Sequence, residues 1–337
     1  MQERAPQYGR NALIVFLEVA GGLVLLLFGG EFLVRGAVAL ADRLGVSHLV
    51  IGLTVVAAGT SAPELVVCLI AALEGSPGIA VGNVIGSNIA NILLILGVAG
   101  LICVLPVNRR SLYRDGSVAI FAAILLAVIS MTGTIERWHG FLMLVCLVAY
   151  LGFCYRSDRR SRKAQASMDI EIEELAGKDR RLWLLLLYLF GGLAGVLVGS
   201  DLLVQGATEV ARAAGVSEAI IGLTLVALGT SLPELATGII AARHKHTDLA
   251  LGNVLGSNIY NILAIMGVVA VTQPLAVPAE IIAFDLWAML GVTIAFLAVA
   301  FLARRISRPV AVVFLFAYAA YILALYAGVS ALAIPGQ

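Results

Sequence analysis

One segment of this chain occurs twice, 170 residues apart. Residues 51–98 read IGLTVVAAGTSAPELVVCLIAALEGSPGIAVGNVIGSNIANILLILGV, and residues 221–268 read IGLTLVALGTSLPELATGIIAARHKHTDLALGNVLGSNIYNILAIMGV. Without a gap, 29 of 48 positions are identical. The agreement is strongest at Gly, Thr, Ser, Pro, Glu and Asn, residues that a lipid-facing helix avoids. Each copy carries a carboxylate, Glu64 or Glu234, inside an apolar run. Charges and unpaired polar groups are costly in hydrocarbon, so an intramembrane carboxylate marks a functional site by default. Two in matching positions sharpen that reading.

The surrounding composition places the repeats in a membrane. The chain is 61% hydrophobic and 13% charged, with a mean hydropathy of +1.01. That predicts an all-α polytopic membrane protein instead of a large soluble core. A net charge of +1 without a basic stripe and interleaved aromatics gives no reason to expect nucleic acid as a partner. Cys68, Cys103, Cys146 and Cys154 lie in apolar runs without metal-ligand spacing and read as reduced packing residues. The N-terminal residues lack a signal-peptide layout, so the first apolar helix is expected to be retained.

A membrane-crossing helix needs about 20 apolar residues. On that measure ten are expected, over 12–41, 47–73, 79–104, 115–132, 138–155, 182–211, 217–242, 249–272, 282–303 and 309–332. The same offset relates Gly21-Gly22 to Gly191-Gly192, Gly36-Ala37 to Gly206-Ala207 and Asp115 to Asp285. The chain therefore divides into a five-helix repeat over 1–155, a cytoplasmic linker over 156–181 and a second five-helix repeat over 182–337. Five is odd, so the second repeat enters the membrane inverted, as in secondary transporters whose sites lie at the repeat interface. With both termini outside, 18 of the 22 Lys and Arg fall on the cytoplasmic side, leaving Arg4, Arg10, Arg137 and Arg212 outside. The plasma membrane is the expected location.

Within the first copy, Thr60 and Glu64 share a helix face, with Pro63 between them. Proline removes a backbone donor and frees carbonyl oxygens in the preceding turn. On the next helix Asn83, Ser87 and Asn91 recur every fourth residue as a polar stripe. Thr230, Pro233 and Glu234, then Asn253, Ser257 and Asn261, repeat both arrangements. No Lys or Arg precedes Arg243 in either copy, so a bound metal ion is the natural counter-charge. The donors are all oxygen, which suits Ca²⁺, Na⁺ or Mg²⁺ and disfavours zinc or copper. Two carboxylates neutralise one Ca²⁺ or two Na⁺.

The motifs GTSAPE and GTSLPE, each followed by GN-x-x-GSN-x-x-N, resemble the α-repeats of the calcium/cation antiporter superfamily, specifically its sodium/calcium exchangers. The resemblance covers both repeats and the ten-helix arrangement. It implies that Glu64 and Glu234 bind Ca²⁺, helped by main-chain oxygens of Thr60 and Thr230. It further implies flanking Na⁺ sites from Ser61, Ser87, Ser231 and Ser257 with the Ala57 and Ala227 carbonyls, and a centre lined by Asn91 and Asn261. The implied function is secondary-active antiport, exporting Ca²⁺ against entering Na⁺ by alternating access. No cofactor is expected beyond the transported ions. Asn261 departs from the pattern, because several branches, including potassium-dependent exchangers, carry Asp there.

Competing readings are simpler for some residues. Gly82-x-x-x-Gly86 and Gly252-x-x-x-Gly256 suit close helix packing. Glu31 suits an ion pair with Arg35, and Glu18 and Asp201 suit the headgroup region. The run 243–246 suits a loop anchor. No protease constellation lies at membrane depth, so an enzyme is not expected. A channel could use the same ligands, but inverted repeats with broken helices favour a transporter. Proton/calcium exchange and potassium-dependent sodium/calcium exchange are the alternatives within transport.

Overall fold

Long apolar runs without an internal proline form uninterrupted helices, and the runs interrupted by Pro form broken ones. The structure, a computed structural model, describes residues 12–109, 112–166, 182–213 and 227–326. Helix α1 covers Ala12–Leu44. It stops at Gly45, whose φ of 66° lies in the left-handed region where a helix ends at least cost to glycine. Ser47 then caps α2 (His48–Thr60) by accepting a hydrogen bond from Val50 N at 3.3 Å. α3 (Ala62–Leu73) follows at an angle of 43°. Next come α4 (Pro77–Ile102), α5 (Leu112–Ser130), α6 (Arg137–Ala166) and α7 (Leu182–Ala213). The second broken pair is α8 (Ala227–Thr230) and α9 (Leu232–Arg243), and α10 (Thr247–Thr272), α11 (Ile281–Ala303) and α12 (Arg308–Tyr326) complete the chain.

Among the described residues, eight helices are long and apolar enough to cross a membrane, and the bent pair α2–α3 makes a ninth. The tenth span expected over 217–242 is represented by α8 and α9, while 214–226 lie outside the described residues. Helix α6 has its apolar span at Arg137–Cys154, in line with the expected 138–155, and continues past it. It runs on to Ala166, because 156–166 are rich in Arg, Lys, Ala and Gln and contain no Gly or Pro.

The halves interlock. Ile85, Ile89, Ile92 and Leu96 of α4 share one buried cluster with Val254, Ile259, Ile262 and Met266 of α10. Helix α5 packs on α11, α6 on the end of α10, and α12 on the end of α4. Two short antiparallel ladders also join the halves. β1 (Leu105–Pro106) pairs with β4 (Arg305–Ile306), and β2 (Thr134–Ile135) pairs with β3 (Leu275–Ala276).

Helices α1 and α7 cross over this core along a glycine seam. An added Cβ would meet Leu203 N at 2.7 Å from Gly22, Val196 N at 2.6 Å from Gly29 and Leu189 N at 2.6 Å from Gly36. The spacing of seven keeps all three on one helix face. Glu31 of α1 pairs with Arg35 at 2.5 Å, as the spacing suggests, and its other oxygen meets His244 Nε2 at 2.7 Å, tying α1 to the end of α9.

Candidate cation site

The two helix breaks create the site. At Ser61 (φ −83°, ψ 9°) and Ser231 (φ −91°, ψ 3°) the chain leaves helical geometry, and proline occupies the first turn of the helix that follows. Glu64 and Glu234 fall in those same first turns. The N–H groups of a helix N-terminus have no intrahelical partner and favour anions, so each half-helix supports its carboxylate. Both side chains are 1% exposed.

The copies exchange partners across their interface. Ser61 Oγ donates to Glu234 Oε1 at 2.9 Å, and Ser231 Oγ lies 3.4 Å from Glu64 Oε1. Ser257 Oγ also approaches Glu234 Oε1 at 3.4 Å, and Ser87 Oγ sits 3.3 Å from Ser231 Oγ. Thr60 Oγ1 donates to Val56 O at 3.1 Å and lies 3.4 Å from Asn253 Oδ1. In the matching position, Asn83 Nδ2 donates to Thr230 Oγ1 at 3.5 Å. Ala57 O accepts from Ser61 N at 3.0 Å, and Ala227 is the first described residue of α8. Ten of the expected ligand residues are thus joined around one buried locus by these bonds and by the helices that carry them.

Asn91 and Asn261 each open a turn of π-helix, over Asn91–Ile95 and Asn261–Ile265. Such widened turns often occur at functional sites. Their amide nitrogens are held crosswise: Asn91 Nδ2 donates to Asn258 Oδ1 at 2.9 Å, and Asn261 Nδ2 to Asn88 Oδ1 at 3.3 Å. Asn258 Nδ2 in turn donates to Asn88 O at 3.3 Å. With both nitrogens engaged, the oxygens of Asn91 and Asn261 are left over. Sequence reading missed Asn88 and Asn258 as positioning residues, although the last letter of GSN in both copies carried the signal.

Four acceptors complete the pattern. Glu64 Oε2, Glu234 Oε2, Asn91 Oδ1 and Asn261 Oδ1 are buried and have no hydrogen-bond partner. Unsatisfied buried acceptors are rare, and an unpaired buried carboxylate is more costly still. A hard cation contacting oxygens from both copies satisfies this donor set, and no His or Cys contributes to it.

One face of the locus is sealed by packed helices. Thr60 and Asn253 are 0% exposed, whereas Thr230 is 8% exposed and Asn83 is half-buried. On the sealed face the backbones of α2 and α10 touch. A Cβ on Gly252 would meet Leu49 O at 2.5 Å, and one on Gly256 would meet Leu53 Cα at 2.8 Å. The GxxxG spacing in the second copy therefore serves close packing.

Comparison with known proteins agrees with this geometry. Residues 14–156 and 184–327 match the family model described as sodium/calcium exchanger protein. The chain is 36% identical to the putative antiporter CaxA of Alkalimonas amylolytica, over 92% of this chain and 98% of that protein. It is 32% identical to the sodium/calcium exchanger MaX1 of Methanosarcina acetivorans, again over 92% of this chain and 98% of the relative. A solved structure of the sodium-calcium exchanger NCX_Mj superimposes with a TM-score of 0.81 at 31% identity, covering 94% of this chain and all of that one, 100%. Both repeats lie inside the matched residues and the relatives align along nearly their whole length, so the chain belongs to the sodium/calcium exchanger protein family, a family of multi-pass membrane transporters.

Proposed function

We propose that the chain exchanges Na⁺ for Ca²⁺ by alternating access, both ions using the oxygens around Glu64 and Glu234. The observation that carries this reading is the set of four buried, unpartnered oxygens, two from each copy. Glu64 and Glu234 supply the charge that balances Ca²⁺, and Asn91 and Asn261 supply neutral oxygens. Main-chain oxygens of Thr60 and Thr230 help hold the Ca²⁺, and Ser61, Ser87, Ser231 and Ser257, with the carbonyls of Ala57 and Ala227, offer the flanking positions for Na⁺. Residues 1–155 and 182–337 act as two inverted five-helix repeats around this locus. Moving bare carboxylates through the membrane is costly, so the switch between open faces requires the site to be loaded. Ion binding then couples the two fluxes by shifting populations between states.

Radiolabelled Ca²⁺ uptake into proteoliposomes tests the assignment. Uptake is expected with an outward Na⁺ gradient and no K⁺, because Asn261 adds no charge to balance a co-transported K⁺. Uptake that fails when choline replaces K⁺ would overturn the K⁺-independent reading. Uptake driven by a proton gradient in Na⁺-free medium would replace Na⁺ with H⁺ as the counter-ion. Ca²⁺ entry without any counter-gradient dependence would indicate a channel.

Orientation is a second expected result. The 18-to-4 distribution of Lys and Arg puts both termini outside and 156–181 in the cytoplasm. In a cysteine-free background, a cysteine placed in that linker should react with an impermeant maleimide only after the membrane is permeabilised. Ready labelling in intact cells would reverse the assignment.

A further inference from the structure

The two ladders that join the halves share a backbone but differ in chemistry. In one, β1 pairs with β4, and Val107 N donates to Arg304 O at 2.9 Å. In the other, β3 pairs with β2, and Val277 N donates to Gly133 O at 2.9 Å. Both ladders are entered through a left-handed residue, Gly133 at φ 82° and Arg304 at φ 54°. Glycine accepts that conformation freely, whereas arginine is strained there. A strained side chain persists where the surroundings or a ligand repay it.

The Arg304 platform is also strongly basic. It presents Arg304, Arg305 and Arg308 beside Arg109, all exposed. The matching turn on the other ladder offers only the opposed charges Glu136 and Arg137 around its first strand. Arg109 is held over the Phe301 ring at 5.2 Å, and Arg308 Nε donates to Leu101 O at 3.3 Å. Among the described residues none of these four arginines forms an ion pair, whereas Arg35 pairs with Glu31 and Arg114 with Asp115. Directly beside the guanidiniums the surface is apolar: Leu302 is 80% exposed and Tyr113 59%.

We propose that this platform is a binding site for the headgroup of an anionic phospholipid, with acyl chains lying against Leu302, Phe301 and Tyr113. Guanidinium forks match phosphate oxygens, and basic clusters at the ends of membrane helices recognise anionic headgroups. Positive charge on the cytoplasmic side alone accounts for having arginines, but not for gathering four of them around one two-residue ladder without an acidic partner. Fixing of Arg109 and Arg308 by Phe301 and Leu101 likewise preorganises the cluster, which mobile snorkelling side chains would not be. The inference stands independently of which ions are exchanged.

The test titrates the full-length purified chain in neutral detergent with fluorescent phosphatidylglycerol, with fluorescent phosphatidylcholine in parallel. Wild type is expected to bind phosphatidylglycerol selectively. Each guanidinium removed should weaken binding about fivefold, so Arg304→Gly combined with Arg305→Gln and Arg308→Gln should weaken it roughly a hundredfold. Arg137→Gln on the other ladder should leave binding unchanged. Arg304→Gly alone should keep or raise the melting temperature, since the sister turn uses glycine. Undiminished lipid binding by the triple variant, equal binding of phosphatidylcholine, or a lowered melting temperature for Arg304→Gly would overturn the proposal. Displacement of the lipid by millimolar inorganic phosphate would instead reassign the platform to a soluble anion.

Discussion

Glu64→Gln and Glu234→Gln are each expected to weaken Ca²⁺ binding by roughly 10²–10³-fold, the scale of removing one partner from a buried charge pair. Gln keeps the volume and can still accept from Ser231 or Ser61, so the local hydrogen bonds survive. What disappears is the charge behind the unpartnered Oε2 atoms. Without ions, a neutral amide is cheaper to bury than a carboxylate, so the melting temperature of either variant should match or exceed that of wild type. Saturating Ca²⁺ should raise the wild-type melting temperature by mass action and leave the variants unmoved. One ion contacting both carboxylates makes the losses non-additive, so the double variant should bind little worse than either single one. Isothermal titration and thermal shift on the same preparations would decide it. Near-wild-type Ca²⁺ affinity in either variant would rule out a site shared between the copies.

These two glutamates were legible in the sequence because a carboxylate inside an apolar run has few explanations, and its recurrence at a fixed offset removes most of them. The helix breaks were legible for the same reason: Pro63 and Pro233 cannot continue a hydrogen-bonded helix. The offset could not tell which serine serves which glutamate. Ser61 is three residues from Glu64 yet bonds Glu234, a contact fixed by how the copies face each other. Asn88 and Asn258 stayed hidden because they act through Asn261 and Asn91 and offer no oxygen of their own to the centre. The two ladders were invisible because two-residue strands carry no periodicity, and the bond between Glu31 and His244 spans 213 positions. Hydropathy located the apolar span of α6 but not its helical extension to Ala166, because hydropathy reports where lipid contact stops, whereas the helix continues as long as propensity allows.

Gly252→Ala should have the second large effect, and it acts on the conformational equilibrium instead of the ions. The sealed face of the site exists because α2 and α10 approach with backbone touching backbone. A methyl group on Gly252 would fall 2.5 Å from Leu49 O, and Gly52 has the same problem in reverse, 2.8 Å from Leu249 O. Neither obstacle is the flexible end of a side chain, so the helices themselves must part. Overpacking of this kind costs about 1–3 kcal/mol, and it is paid only in the conformer where the seam is closed. The population should therefore shift roughly 5- to 150-fold toward conformers with α2 and α10 separated. Thr60 and Asn253, both fully covered beneath the seam, would then become reachable from that face. The measurement uses Leu49→Cys, 7% exposed in this conformer, in a background with the four native cysteines replaced. Maleimide labelling from the seam side should accelerate in Gly252→Ala, and exchange should slow because closing the seam is needed in every cycle, while equilibrium Ca²⁺ binding is largely kept. Unchanged labelling together with wild-type exchange would mean that this contact is ordinary packing and that access to Glu64 and Glu234 is controlled elsewhere.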